Sequence, residues 1–158
     1  MSGRSAPGGQ AARPVWEDQS VTDETYQVQP IGWVESTLTE RKDAPRQADE
    51  NAPPARIAIR PELSAALRGL RAGTPVLILT WLHEAHRDVL AVHPRRDPNR
   101  PLTGVFATRS PDRPNPIGLH ATVVERMEQS AVVVRNLEAI DGTPVLDIKP
   151  VLGNVGER

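Results

Sequence analysis

The chain has 158 residues, room for one domain of ordinary size around one hydrophobic core. Its 19 Lys and Arg against 20 Asp and Glu leave a net charge of -1, so no overall field draws it onto nucleic acid or an acidic membrane. With 0 cysteines, a disulfide framework, thiol catalysis and Cys-ligated metal sites are excluded, and the aromatic share of 3% counts against a base-stacking platform.

Charge is unevenly spread. Residues 41–120 hold 13 basic and 8 acidic side chains, and all but Lys42 of those cations are arginines, whose planar fork suits phosphate and carboxylate. The flanking segments are net acidic. No apolar run reaches the length of a membrane span.

In chain order, residues 1–25 are rich in Gly, Ala, Ser and Pro and read as a mobile tail ahead of one domain over 26–158. They lack the apolar stretch of a secretory signal, so a cytoplasmic location is expected. Gln27–Ser36 reads as a strand, Arg41–Pro54 as a long loop, and Ala55–Arg60 as a strand with Ile57 and Ile59 on one face. Pro61 suits a first helical turn, Leu63, Leu67 and Leu70 form an apolar stripe, and Gly73 ends it. Pro75–Leu82 is almost continuously apolar, which predicts a strand buried on both faces.

His83–Pro101 is a second long loop. Gly104–Thr108 reads as a short strand, Ser110–Pro116 as irregular, and Leu119–Glu125, Ala131–Leu137 and Pro144–Ile148 as the remaining strands, with a turn at Asp141-Gly142. One short helix among six or seven strands predicts a mainly β protein, a small antiparallel β-barrel with long decorated loops.

No glycine-rich phosphate loop, dinucleotide fingerprint or G-x-S-x-G elbow is present. His83-Glu84-Ala85-His86 is not a zinc-protease motif, because its histidines are three apart and follow a strand, so no metal is expected. The informative segment is Gly104–His120, GVFATRSPDRPNPIGLH. Pro111, Pro114 and Pro116 restrict both themselves and the residues before them, so Arg109, Arg113 and Asn115 ride on a stiffened loop. Such a loop makes a pre-organised polar pocket wall. A proline-rich surface turn with solvated arginines is the alternative.

This segment resembles the signature of the TrmO (TsaA-like, YaeB-like) family, GVFATRSPxRPNPIG. Further matches lie in the same order: Ile31-Gly32, Pro45-Arg46-Gln47, Trp81-Leu82-His83, Asp141-Gly142-Thr143-Pro144 and Asp147-Ile148-Lys149-Pro150. The resemblance spans residues 28 to 152. It implies a β-barrel methyltransferase, a homodimer, that uses S-adenosyl-L-methionine on N6 of N6-threonylcarbamoyladenosine beside the anticodon of tRNA. Carried over residue by residue, it implies cofactor contacts at Pro45, Arg46, Gln47, His83, Glu84, Arg109, Leu119, Leu137, Glu138, Ala139 and Ile140. For Leu119 and Leu137 a place in the core competes with that role.

Arg113 and Asn115 are expected to face the substrate, and Asp141, Asp147 or His83 to take its proton. Two positions depart from the family pattern. Thr80-Trp81-Leu82-His83 stands where aromatics commonly precede the histidine, and Val151 follows Asp147–Pro150 where Tyr is common. Both remove rings, which keeps open a small-molecule acceptor or a non-catalytic RNA- or ligand-binding module.

Overall fold

The computed structural model describes residues 25–45 and 50–153. Most of the expected tail, residues 1–24, lies outside them. Eight strands run in the order β1 Gly32–Glu35, β2 Ala55–Ile59, β3 Pro75–Trp81, β4 Ala91–Val92, β5 Thr103–Gly104, β6 Ile117–Glu128, β7 Ala131–Val134 and β8 Pro144–Pro150. Six of them close into a barrel in the order β1-β2-β7-β6-β3-β8, every neighbouring pair antiparallel, while β4 and β5 form a separate two-stranded ribbon.

The barrel interior follows from alternation along the strands. Val34, Ile57, Ile59, Val76, Ile78, Val124, Val132, Val134 and Val145 point inward, and Leu137 joins them from beyond β7. β-Branched residues dominate this list because they pack well on a pleated surface. The expected helix is a 3-10 helix over Pro61–Leu67, and Gly69 at φ +100 turns the chain away soon after it. Its apolar stripe packs as expected: Leu63, Leu67 and Leu70 are partly buried against the core.

Several boundaries differ from the sequence reading. The first strand starts at Gly32 instead of Gln27, since Pro30 has no N–H to donate and the ladder begins with the Ile31 amide on Val145 O, 2.8 Å away. Gly104–Thr108 is not one strand. After Gly104 the chain winds into a 3-10 turn, Val105–Ala107, that buries Val105 and leaves Phe106 82% exposed. The loop before it contains β4 and a 3-10 turn at Pro94–Arg96. β6 begins at Ile117, two residues early, and β7 ends at Val134, before Asn136 at φ 43.

β3 departs in a more useful way. It is buried on one face only: Val76, Ile78 and Thr80 point inward, while Leu77, Leu79 and Trp81 stand half-buried outside. Leu79 pairs with Leu119 and Trp81 with Ile117, and both β6 residues are exposed. The continuous apolar run therefore supplies one core face and one apolar outer face.

Candidate active site

Antiparallel closure sends alternate strand ends to the same rim. The connections from β1 to β2, from β3 to β6 and from β7 to β8 all leave from one end of the barrel. Pro45 lies on the first, His83, Glu84 and Arg109 to Asn115 on the second, and Leu137 to Asp141 on the third. Strand topology alone thus gathers residues that are up to 96 positions apart in sequence, from Pro45 to Asp141. Arg46 and Gln47 lie outside the described residues.

Side chains then tie the loops together. The Arg41 guanidinium donates to Asp112 Oδ1 at 2.6 Å and to the Glu84 carbonyl at 3.2 Å, while the His86 amide donates to the same Asp112 oxygen at 2.9 Å. Arg87 donates to the Pro114 carbonyl at 3.0 Å and lies 5.3 Å from the Trp81 ring centroid, a cation–π contact. The Leu82 amide reaches Pro116 O at 2.8 Å. The loops around residues 41, 85 and 112 therefore form one braced assembly.

Burial works to raise the Asp112 carboxyl, but hydrogen bonds from the Arg41 guanidinium and the His86 amide outweigh it and leave it below its ordinary 3.8. A carboxyl lowered on folding stabilises the protein above its unfolded value, and that contribution is lost as pH falls through the lower folded value. Asp112→Asn is therefore expected to cost about 1 kcal/mol near neutral pH, the scale of a hydrogen-bonded ion pair at partial exposure. Urea unfolding of both proteins should show the gap closing as the solution is acidified below the ordinary carboxylate range. A gap independent of pH would mean that the Arg41–Asp112 pair contributes nothing.

Individual positions now separate by role. Among the described residues Arg109 makes no hydrogen bond or ion pair, and it is exposed. Asn115, His83 and Glu84 are also exposed at the rim, and Pro45 is half-buried. Arg113 is different. Its Nε donates to Ser110 O at 2.8 Å, and its Nη2 to Thr108 O at 2.7 Å and Val105 O at 3.1 Å. The expectation that Arg113 faces substrate gives way to that of a brace, because its fork closes the loop on its own carbonyls.

Asp141 stands at the rim and accepts the Ser36 amide on Oδ1 at 3.0 Å. Asp147 does not join it: it pairs with Leu79 on the outer wall of β8 and holds Lys149 at 2.8 Å. Leu119 is outside as well, 44% exposed, whereas Leu137 is wholly buried in the core. Ala139 and Ile140 are buried beside it, which leaves backbone groups as what these three residues can offer a ligand.

Glu138 has an environment of its own. Its Oε1 accepts from His120 Nδ1 at 2.8 Å, His120 Nε2 lies 2.8 Å from the buried Thr80 hydroxyl, and Oε2 is buried without a partner. Thr80, His120 and Asp112 were not singled out from sequence. The available signal was a polar residue at an inward position of an apolar strand, as Thr80 is in β3 and His120 in β6.

Sharing Asp141 with the rim, a shallow cleft of about 400 Å³ is lined by Glu35, Ser36, Thr37, Arg56, Glu125 and Arg126 among others. Arg56 there is paired with Glu128 at 2.7 Å and Glu35 at 2.8 Å, so its cation is already neutralised. Among the described residues no His, Asp and Glu group is placed to hold a metal, and no helix is long and apolar enough to cross a membrane.

The six-stranded barrel thus closes under a polar rim built from three connections. Residues 33–156 match the tRNA-methyltransferase O N-terminal domain, and the chain belongs to that family. It is 43% identical over 131 residues to a probable S-adenosyl-L-methionine-binding protein of Methanothermobacter thermautotrophicus, covering 82% of this chain and 93% of that one. It is 41% identical over 120 residues to the probable S-adenosyl-L-methionine-binding protein VirR of Rhizobium radiobacter, covering 76% of this chain and 67% of that one. The crystal structure of TrmO from Pseudomonas aeruginosa superposes with a TM-score of 0.66 at 33% identity, over 82% of this chain. This chain spans 57% of the length of that structure.

Proposed function

We propose that this barrel is an S-adenosyl-L-methionine-dependent methyltransferase acting in the cytoplasm on N6 of N6-threonylcarbamoyladenosine in tRNA. The observation that carries the reading is the convergence of the family's signature segments on one rim, where two groups wait for partners. Arg109 is an unpaired, exposed guanidinium suited to an amino-acid carboxylate. Glu138 Oε2 is a buried acceptor suited to a hydroxyl. A nucleoside joined to an amino acid carries both complementary groups, so the residues present fit this cofactor.

The bound cofactor supplies a methyl group on a sulfonium. The chain supplies positioning, which is where most of the rate of such a displacement can originate. Asn115, exposed between Pro114 and Pro116, presents an amide to the base or urea edge of the acceptor. Asp141 or His83 takes the acceptor's proton, since both stand at the rim while Asp147 is held by Lys149 on the outer wall. Phe106, held out beside this loop, offers a face for stacking a base. The outer apolar face of Ile117, Leu119, Leu79 and Trp81 is the surface on which a homodimer would form, and sedimentation of the purified chain reads that directly.

Arg109→Ala is expected to weaken S-adenosyl-L-methionine binding by about 1.5 to 3 kcal/mol, the range for a charge-assisted hydrogen bond. Calorimetry checks it, and the melting temperature should not move because the side chain braces nothing. Binding at full strength would remove Arg109 from the cofactor site. The acceptor is tested by nucleoside mass spectrometry of tRNA from a strain lacking the gene. Loss of the methylated threonylcarbamoyl nucleoside supports the reading. An unchanged level overturns it and directs the search to a small-molecule acceptor.

A further inference from the structure

Among the described residues the buried polar side chains are few, Thr80, His120 and Thr143, and the first two stand on one line. Thr80 on β3 and His120 on β6 are 0% and 5% exposed, and Glu138 follows β7 with a side chain 17% exposed. Polar groups at that depth are costly unless each finds a partner, and all three residues find one, with a single Glu138 oxygen left over. Thr80 Oγ1 lies 2.8 Å from His120 Nε2, and His120 Nδ1 lies 2.8 Å from Glu138 Oε1.

An ionised carboxylate can only accept, so Nδ1 donates to Glu138, and with the proton on Nδ1 alone Nε2 accepts from the Thr80 hydroxyl. The direction of every bond in the chain is then set, from Thr80 through the ring to Glu138. Gly118 leaves the room for it: a Cβ there would lie 2.3 Å from Thr80 Oγ1 and 2.6 Å from His120 Nε2. The one group left over is Glu138 Oε2, buried and unpartnered at the rim. A Thr–His–Glu line invites comparison with a hydrolytic triad, but the Thr80 hydroxyl faces the sealed interior, where no substrate reaches it.

We propose that His120, itself held by Thr80, is a positioning residue that locks the Glu138 carboxylate so that Oε2 accepts a hydroxyl of the cofactor's ribose. The inference rests on the cofactor reading above and adds to it two interior residues. A free glutamate would swing among rotamers and lose that freedom on binding. Fixed by the ring, it has already lost it, and the ligand gains the difference in affinity.

The test uses the full chain and calorimetric titration with S-adenosylhomocysteine and its 2′,3′-dideoxy analogue, so no turnover is read. His120→Leu should bind S-adenosylhomocysteine at least tenfold more weakly. His120→Asn, whose amide N–H can stand in for Nδ1, should recover most of the loss. Glu138→Ala should lose at least as much as His120→Leu, and the double variant no more than Glu138→Ala alone. Against the dideoxy analogue all four variants should match the parent protein.

Equal S-adenosylhomocysteine affinity in the parent and His120→Leu overturns the proposal and leaves the cofactor reading standing. Additive losses in the double variant, or an equal loss toward the dideoxy analogue, overturn it too. If His120→Leu does not fold, His120→Asn beside Glu138→Ala decides: the amide variant must keep the hydroxyl preference that the alanine variant loses. No binding of S-adenosylhomocysteine by the parent protein defeats the cofactor reading and this inference together.

Discussion

Gly32→Ala is expected to cost about 3 kcal/mol or more, the upper end for overpacking a site that cannot relax. A Cβ at position 32 would stand 2.1 Å from the Ala58 carbonyl oxygen and 3.0 Å from Ile59 Cα, and these are backbone atoms of the neighbouring strand. No rotamer change relieves that contact. β2 would have to move away from β1, although Gly32 pairs with Ile59 on one side and Val145 on the other. The four-residue β1 joins β2 to β8, so displacing it opens the barrel. Gly104→Ala is the matched control: a Cβ there meets nothing within 4 Å. It should stay within about 0.5 kcal/mol of the parent. Chemical denaturation of both reads the difference, and a mild Gly32→Ala would mean that the β1–β2 seam is slack.

Arg113→Ala is expected to cost about 2 kcal/mol, because three carbonyls lose a charged donor at once while water partly replaces it. Its bonds to Val105 O, Thr108 O and Ser110 O are what fold the signature loop around one guanidinium. Arg113→Lys should not rescue, since one ammonium cannot reproduce a planar fork reaching three acceptors. Methyl transfer should fall at least tenfold with the loop out of place, about 1.4 kcal/mol in the barrier. Asn115→Ala is the contrast: its exposed side chain braces nothing among the described residues, so its activity should fall with an unchanged melting temperature. An Arg113→Ala protein that melts like the parent but does not turn over would restore Arg113 to the substrate.

The strands were legible in the sequence because a barrel writes its core as alternation. Ile57 and Ile59 identify β2, and the wholly apolar run Ala131–Val134 identifies β7, with all four of its residues buried. β3 misled for a physical reason: Leu77, Leu79 and Trp81 are apolar because they form the outer face, and hydropathy does not say which apolar surface is sealed. The Pro61 helix shows a different limit. Its leucines pack as expected, but seven residues before Gly69 are too few for an α-helix to outcompete a 3-10 turn.

The candidate site divided along the same line. Rim residues could be found by matching motifs, since each lies on a loop with its own recognisable run. What Arg113 does there could not, because arginine in a proline-rich loop reads equally as ligand contact or brace until its acceptors are known. The Thr80–His120–Glu138 line was hidden because its three members come from different segments and meet only through barrel closure.

Methyl transfer to a threonylcarbamoylated adenosine is tested most directly by one reconstitution. Purified protein is incubated with methyl-labelled S-adenosyl-L-methionine and tRNA carrying N6-threonylcarbamoyladenosine, and the tRNA is digested to nucleosides for mass spectrometry. Labelled methyl is expected on the threonylcarbamoyl nucleoside, lost with Arg109→Ala and with tRNA lacking that modification. Tight cofactor binding with no label on that nucleoside would contradict it.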